Sequence, residues 1–447
     1  MSDKPLKLME KNRLKEGIAI HHKVSIPSLT VLVVIFCFLS MLADGYDLGI
    51  YGAVLPKLLE DKQWALSPVQ AGAIGSYALL GMLFGAIMVG TITDLIGRKW
   101  TLIFSLTVFS ITMGLAAMAQ TPETFGFIRF VGGIGLGGVI PTASALTIEY
   151  SPVQRRSFIY AVMFTGYSFG IVLGAVLSIL LLQNHGWRFL FWIGILPILL
   201  VPFIILYMPE SVNFLLARNR KEEAEKICER YHLNIKAIEM EEGQRDPKNK
   251  WQGLSTLFSR KYIRATLLLW VTYCMSMFLI YGLNTWLPQM MKKAGYPLGS
   301  SLSFMLTLNL TAAVGTLIAG LAADRWGSQR LIGFSYLLAA ICIALLSVKS
   351  SIFVVYVLVG LAGFGSVGNT QLLNAYVTKY FSSHSRATAL GWGLGVGRIG
   401  AISGPIIIGL LMSKGMNQMF SFYTFAIAGL LASLSILLVP KKDNEMI

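Results

Sequence analysis

Runs of about 20 residues with few charges recur along the chain, and short polar segments separate them. A helix of this length crosses the hydrocarbon core of a bilayer. The pattern therefore predicts twelve membrane-spanning helices, at residues 27–52, 68–91, 100–118, 124–147, 157–182, 187–207, 262–287, 298–322, 331–348, 352–376, 387–412 and 420–438. The polar N-terminal segment does not have the form of a cleavable signal, so we expect the first helix to remain in the mature protein.

The composition excludes a water-soluble protein. The 447 residues are 55% hydrophobic and only 13% charged, and the mean hydropathy is +0.65. Soluble domains carry about 25% charged residues, so this chain lacks the polar surface that a soluble globule of its size needs. The four cysteines are far apart in the sequence, and we interpret them as small apolar residues without a disulfide or metal role.

The distribution of lysine and arginine predicts the orientation in the membrane. If both termini face the cytosol, the segments on that side hold 28 of the 37 Lys and Arg residues, and the opposite segments hold seven. Such an excess on the cytosolic side is the rule for membrane proteins. The net charge of +15 thus indicates topology and not a nucleic-acid partner. We expect a multi-pass protein of the bacterial inner membrane with both termini in the cytosol.

A single shift of 230 residues relates two parts of the chain. Seven glycines, one aspartate and one arginine recur at this offset without a gap. The pairs include Gly90 and Gly320, Asp94 and Asp324, Gly97 and Gly327, Gly133 and Gly363, Arg156 and Arg386, and Gly170 and Gly400. Nine matches at one offset indicate a parallel internal repeat.

The repeat predicts an all-α membrane protein of two six-helix halves, at residues 27–208 and 262–439. A charged cytosolic linker at 209–261 joins them, and cytosolic tails at 1–26 and 440–447 flank them. Two such halves with a binding site between them, near the middle of the membrane, are a recurrent design of secondary transporters. The alternative is a channel, which would more naturally repeat around a pore.

The segment "GTITDLIGRK", which begins at Gly90, matches the loop 2–3 signature of the major facilitator superfamily. The resemblance implies the fold of that superfamily. An Asp at a helix end and an Arg one turn on, here Asp94 and Arg98, can form pairs that hold the cytosolic side shut. We predict a conformational latch whose other members are Glu149, Arg155, Arg156, Asp324 and Arg386. The alternative is that these arginines only set the topology.

Further segments resemble the aromatic acid:proton symporter family. They are "DGYDLGIYGAVLP" in the first helix, "GRK" in loop 2–3 and "IEYSPVQRR" after the fourth helix. The resemblance covers almost the whole chain and implies that Asp44 and Asp47 take part in transport. Members carry benzoate, hydroxybenzoates, gentisate and similar acids, and close relatives carry niacin or other organic acids. The segment "MPESVNFLLARNR" also resembles an element that sugar-porter-like transporters have after the sixth helix.

Four charged residues lie deep inside the predicted helices, Asp44, Asp47, Arg129 and Arg398, and Glu149 follows just after the end of the fourth helix. Each costs about 2.5–3.5 kcal/mol on insertion scales, so such side chains face the protein interior or water. Asp44 and Asp47 lie on one helix face, and neighbouring carboxylates resist ionising together. We predict that they carry a coupled proton with Arg129 as their partner. The alternative is a purely structural ion pair.

Arg398 lies in a half whose acidic residues are confined to a loop and the C-terminal tail. A guanidinium group there suits an anionic ligand that accepts two parallel hydrogen bonds. Pairing with Asp44 or Asp47 across the halves fits equally well. Aromatic and amide side chains could complete a substrate site, namely Tyr51, Tyr281, Asn284, Trp286, Asn369, Asn374 and Trp392. Packing or interfacial positions are the alternative for many of them.

Nothing in the sequence indicates an enzyme, since no Ser/His/Asp set, His-rich metal cluster or phosphate loop occurs. We expect a monomer without a cofactor. The leading hypothesis is a proton-coupled symporter that imports a small aromatic carboxylate by alternating access. The alternatives are a symporter or exchanger of another organic anion, such as niacin, or of a sugar, and a membrane receptor that does not transport.

Overall fold

The computed structural model describes residues 28–152, 155–231 and 250–440. Within these ranges the regular structure is helical, and eleven helical stretches are long and apolar enough to cross a membrane. One of them, Phe158–Tyr207, is 50 residues long and is interrupted at Gly186, where a φ of 75° is not helical. This stretch contains two spans, so the twelve predicted helices are confirmed.

The spans are numbered 1 to 12 in chain order, and spans 1–6 and 7–12 are called the N-terminal and C-terminal halves. Short helices lie between the halves, at Val212–Ala217, Lys221–Tyr231 and Lys250–Leu257. Spans 1 to 4 are Ser28–Leu58, Pro68–Ile96, Arg98–Met118, and Pro122–Gly137 with Val139–Glu149. Spans 5 and 6 comprise Arg156–Ile193, Leu196–Leu199 and Leu200–Tyr207. Spans 7 to 12 are Ile263–Lys293, Leu298–Trp326, Ser328–Leu345, Ile352–Gly365 with Asn369–Tyr380, Ser383–Ser413, and Met419–Leu437.

Two boundaries differ from the sequence-based prediction. Span 1 continues to Leu58, although we placed its end at residue 52, because Pro56 disturbs only the last turn of the helix. We predicted a loop at residues 183–186 between spans 5 and 6, but the two helices meet directly at a kink at Gly186. Only Gly186, which adopts positive φ without a steric penalty, turns the chain there.

Polar caps define where several spans begin. The Ser67 side chain accepts a hydrogen bond from the backbone of Gln70, while the Gln70 side chain accepts one from the backbone of Ser67, and Pro68 occupies the first helical turn. At the starts of spans 4 and 10, the side chains of Thr121 and Ser351 likewise accept a hydrogen bond from a backbone N–H group three residues further on. These side chains satisfy backbone N–H groups that have no partner within the helix.

We call the end of the bundle where span 1 begins the terminal face, and the other end, with residues 59–67 and 294–297, the distal face. The 230-residue repeat extends to packing. A Cβ atom at Gly133 would lie 2.1 Å from the carbonyl oxygen of Ala78, and one at Gly363 would lie 2.1 Å from that of Leu308. Gly133 and Gly363 are 230 residues apart, and so are their contact partners, Ala78 and Leu308. The two halves therefore use the same close helix crossing, which only glycine permits.

Candidate substrate and coupling site

Asp47 and Arg129 form a bidentate ion pair inside the N-terminal half. Arg129 Nη1 donates to Asp47 Oδ1 at 2.8 Å, and Nη2 donates to Oδ2 at 3.1 Å. Both side chains are buried. The guanidinium carbon also lies 4.6 Å from the centre of the Tyr51 ring, an arrangement that adds cation–π attraction. The predicted partners Asp47 and Arg129 are thus in contact, and each neutralises the other.

Asp44 lies one turn before Asp47 and has different surroundings. The residue is 2% exposed, and its Oδ2 atom accepts no hydrogen bond. Asp44 is close enough to Arg398, Tyr167 and Asp47 to interact with them electrostatically. Asp44 therefore lies toward the cation of the C-terminal half, whereas Asp47 pairs within its own half.

Arg398 lies on span 11 near the middle of the bundle. Its Nη1 atom donates to Tyr281 Oη at 3.3 Å and lies 4.0 Å from Met82 Sδ in span 2. Among the residues that the structure describes, no carboxylate forms an ion pair with it. The guanidinium group thus keeps most of its hydrogen-bonding capacity, and Asp44 is the acid that acts on it across the two halves.

A cavity between the halves reaches from Arg398 to the terminal face. It encloses about 1020 Å³ with its open mouth, and spans 4, 5, 7, 8, 10 and 11 form its wall. Tyr160 lies one turn from the terminal-face end of span 5, and Asn374 lies two turns from that end of span 10. The cavity therefore opens toward the terminal face. Its mostly apolar wall with a few polar side chains is typical of a site for a small organic molecule.

The halves are in direct contact at the distal face. Glu60, after span 1, forms an ion pair with Lys292 at the end of span 7. Trp286 Nε1 donates to the carbonyl oxygen of Pro405 at 2.9 Å, and Ser76 Oγ donates to that of Ile402 at 2.7 Å. A bundle that is closed at one face and open at the other has the geometry of one state of an alternating-access cycle.

Tyr281, Asn374 and Arg398 are the predicted substrate residues that line the cavity. The other five lie elsewhere. Tyr51, Asn284, Asn369 and Trp286 are buried in helix contacts, where their polar atoms bind protein atoms. Trp392 is 44% exposed and stacks on Trp270 with ring centres 5.6 Å apart. We predicted Trp392 as a cavity residue, but it lies on a face of span 11 that points away from the cavity.

Span 5 supplies cavity residues that the sequence reasoning missed. Tyr160, Phe164 and Tyr167 line the wall together with Ser168. The predicted substrate residues included none from this helix. The signal was present in the sequence, since aromatic residues at positions i, i+4 and i+7 share one helix face.

Arg98 and Glu149 of the predicted latch form an ion pair at the terminal face. Glu149 Oε2 also accepts a hydrogen bond from Ser211 Oγ at 2.7 Å, and Oε1 accepts one from the backbone N–H of Asn213 at 3.1 Å. These contacts connect spans 3 and 4 to the segment that follows span 6. They involve spans of the N-terminal half and the segment directly after it.

Glu210 is a second carboxylate at this junction that we did not predict. It accepts hydrogen bonds from the backbone N–H groups of Lys99 at 3.0 Å and Ser211 at 2.8 Å. Burial raises the pKa of Glu210, and these backbone donors partly oppose the rise. The sequence offered a signal for this residue, since the segment "MPES", which we noted after the sixth helix, contains both Glu210 and Ser211.

The other predicted latch residues lie at different places along the chain. Arg155 and Arg386 are exposed at the starts of spans 5 and 11. Arg156 Nε donates to the carbonyl oxygen of Ser151 at 3.3 Å. The side chains of Asp94 and Asp324 lie outside the described residues.

Comparison with known proteins places this site in a family. The family model described as "Sugar (and other) transporter" matches residues 32–442. The chain belongs to this family. The sugar (and other) transporter family is part of the major facilitator superfamily, so the fold suggested by loop 2–3 is confirmed, and the protein is a membrane transporter and not an enzyme.

Curated relatives within the sugar (and other) transporter family carry aromatic acids according to their names. The benzoate transport protein of Acinetobacter baylyi is 35% identical over 93% of this chain and 90% of its own length. The gentisate transporter of Corynebacterium glutamicum is 34% identical over 88% of this chain and 84% of its own. The similarity therefore extends through both halves.

Solved structures support the fold. The xylose transporter XylE from E. coli, in a partially occluded inward open conformation, superposes with a TM-score of 0.76. The superposition covers 94% of this chain and 100% of the XylE chain, at 18% sequence identity. At that identity the likeness establishes the architecture of the sugar (and other) transporter family and nothing about the substrate.

Proposed function

We propose that the protein is a proton-coupled symporter that imports small aromatic carboxylates by alternating access. The observation that carries the proposal is Arg398, a cation at the inner end of the cavity with only neutral side chains as direct partners. A guanidinium group binds a carboxylate through two parallel hydrogen bonds. Aromatic side chains of spans 5 and 7, such as Tyr160 and Tyr281, offer faces for a ring.

The names of the relatives support the aromatic class. Besides benzoate and gentisate transporters they include the gallate transporter of Pseudomonas putida, which is 33% identical over 91% of this chain. Benzoate, gentisate and gallate share one feature, a carboxylate attached directly to an aromatic ring. A single guanidinium group beside aromatic walls fits that feature.

Competition for Arg398 supplies the coupling that we propose. Ionised Asp44 attracts Arg398 across the halves, and a proton on Asp44 removes that attraction. The guanidinium group is then free to bind the substrate carboxylate. A proton taken up by Asp44 from outside and a bound anion therefore favour one another. When both leave to the cytosol, Asp44 and Arg398 attract again, and the empty transporter can return.

The orientation follows from the charges. In the predicted topology, the segments on the side of the termini hold 28 of the 37 Lys and Arg residues, so we assign the terminal face to the cytosol. The cavity then faces inward and releases substrate into the cell. We place the protein in the bacterial inner membrane with both termini inside, acting as a monomer because one chain supplies both walls of the cavity.

The latch belongs to the same cycle. We propose that Asp94, Arg98, Glu149, Arg155, Arg156, Asp324 and Arg386 stabilise the cytosolic side when it closes. The Arg98–Glu149 ion pair supports a part of that assignment, since it brings two of these residues together at the terminal face.

Ligand-induced thermal stabilisation of purified variants tests the proposal. We expect benzoate to raise the unfolding temperature of the wild type, and benzamide, which lacks the charge, to raise it far less. Arg398→Lys keeps the charge but loses the planar pair of donors, so affinity should fall roughly tenfold or more, as for one lost charge-assisted hydrogen bond. Arg398→Ala should lose stabilisation altogether.

The matched control is Arg264→Lys, which changes an exposed arginine at the start of span 7 and should leave stabilisation unchanged. Equal stabilisation of the wild type and both Arg398 variants would refute the anion role. A second candidate is niacin, because a niacin transporter of Acinetobacter baylyi is 28% identical over 89% of this chain. Stronger stabilisation by niacin than by any benzoate would favour it.

A further inference from the structure

Two polar atoms on the cavity wall have no partner in the protein. They are the hydroxyl oxygen of Tyr167 on span 5 and Nε2 of Gln371 on span 10. Both atoms are shielded from solvent, and Tyr167 as a residue is only 7% exposed. The two side chains belong to opposite halves and both line the cavity, so a molecule held there lies beside both.

Three neighbouring polar side chains of the same wall each have a partner within the protein. Asn374 Oδ1 accepts a hydrogen bond from Tyr273 at 2.8 Å, and Thr316 Oγ1 donates to the carbonyl oxygen of Ala312 at 2.9 Å. Thr370 Oγ1 lies 3.5 Å from Ser276 Oγ. Gln371 is therefore an exception within its own helix, and its amide needs an explanation other than packing.

A buried donor without an acceptor lowers stability, whereas an apolar side chain of the same shape would avoid that cost. A site that is built to form hydrogen bonds also rejects analogues that lack the matching group, because its polar atoms then remain unpaired. An unsubstituted benzene ring offers no such group. The wall around Gln371 thus fits a ring that carries a polar substituent.

We infer that Gln371 is a specificity-determining residue that binds a ring hydroxyl, so the preferred substrates are hydroxylated aromatic carboxylates and not benzoate itself. This inference rests on the proposed function, in which Arg398 holds the carboxylate. A hydroxyl group both donates and accepts hydrogen bonds, so it can pair with either end of the Gln371 amide. An alkyl or halogen substituent cannot do so.

Tyr167 has a different part in the same complex. It lies close enough to Tyr281 and Asp44 to interact with them electrostatically, which places its hydroxyl group near the carboxylate end of the site. Tyr167 therefore contacts a feature that all aromatic carboxylates share. Its loss should weaken every ligand, while the loss of the Gln371 amide should weaken only the hydroxylated ones.

The experiment measures dissociation constants of benzoate and of 2-, 3- and 4-hydroxybenzoate by calorimetry on purified protein in nanodiscs. We expect at least one hydroxybenzoate to bind the wild type about tenfold more tightly than benzoate, as for one satisfied hydrogen bond. In Gln371→Met, which keeps the shape, the ratio should fall to about one while benzoate affinity stays within about twofold. Tyr167→Phe should weaken all four ligands by a similar factor and keep the ratio.

The outcomes separate the two claims. If all four acids bind the wild type equally, or if Gln371→Met keeps the preference, the assignment of Gln371 is overturned and the aromatic-acid function stands. If none of the four binds, the proposed function fails and the inference fails with it. Elution of each variant as a single species in gel filtration ensures that loss of binding does not report misfolding.

Discussion

The two aspartates of span 1 show how one turn of helix changes the role of a carboxylate. Asp47 accepts hydrogen bonds from both terminal nitrogens of Arg129, Nη1 and Nη2. Asp44, in contrast, has a carboxylate oxygen without a hydrogen-bond partner. Removing one member of a buried ion pair leaves the other charge uncompensated, which costs about 3–5 kcal/mol. Removing a carboxylate that lacks such a partner carries no comparable cost.

We therefore expect Asp47→Asn to lower the free energy of unfolding by several kcal/mol and Asp44→Asn, which loses only the longer-range attraction to Arg398, to lower it by less. Asp44→Asn should nevertheless abolish uphill accumulation of substrate, because the amide cannot carry a proton. Thermal unfolding and uptake into proteoliposomes under a pH gradient measure the two effects. Equal losses of stability in both variants, or undiminished accumulation in Asp44→Asn, would contradict this division of roles.

The sequence identified both aspartates and Arg129, but it did not assign the pair. Residues three positions apart on a helix differ by about 60° in direction. That difference is enough for Asp47 to meet span 4 while Asp44 lies toward the C-terminal half. Which neighbour stands in each direction depends on helix packing, so sequence spacing alone leaves it open.

At the scale of helices, glycine allows spans 2 and 11 to approach closely near the distal face. A Cβ atom at Gly409 would lie 2.5 Å from the carbonyl oxygen of Pro68, and one at Gly72 would lie 2.5 Å from that of Pro405. These contacts join the two halves across the closed face. A methyl group cannot be accommodated there unless the spans separate.

Gly409→Ala should therefore shift the population away from the inward-facing state, toward one in which the distal face is open. Spin labels on Lys62→Cys and Lys349→Cys, in a variant without the four native cysteines, would report the distance between the halves. The control is Gly395→Ala on the same helix, where nothing lies within 4 Å of the added carbon. An identical distance distribution in both variants would show that the crossing does not control closure.

Hydropathy was sufficient to predict twelve spans, because each crossing needs a long uncharged run. It was not sufficient to predict which side of a span faces the cavity. A membrane helix is apolar on all sides, so no periodic stripe marks its inner face. Trp392 and Tyr167 illustrate the limit, since the first was predicted in the cavity and lies outside it, while the second was overlooked.

For the whole molecule, the ion pair between Glu60 and Lys292 joins the two halves at the closed distal face. The hydrogen bond from Lys292 is the main cause that lowers the pKa of Glu60 below its usual value of 4.5. A carboxylate with a lowered pKa stabilises the closed face fully above the usual value, and this contribution is lost as the pH falls through the lowered pKa. The pair is partly exposed, so its contribution is at most about 1 kcal/mol.

Acidification below about pH 4.5 should thus lengthen the distance between the spin labels at positions 62 and 349, by a modest change in populations. Glu60→Gln should show the longer distance already at neutral pH and should respond less to acid. A pH response of the same size in Glu60→Gln would assign it to other groups, among them Asp44.

The position of Arg398 also has a consequence for how the protein is made. Its own half offers no acid within the membrane, and the carboxylate that acts on it, Asp44, belongs to the other half. Ribosomes deliver the N-terminal half first, so a bilayer-embedded carboxylate is already present when span 11 emerges. A C-terminal half produced alone would have to place a guanidinium group in hydrocarbon without a counter-charge. The order of the two halves in the gene therefore makes the first a template for the insertion of the second.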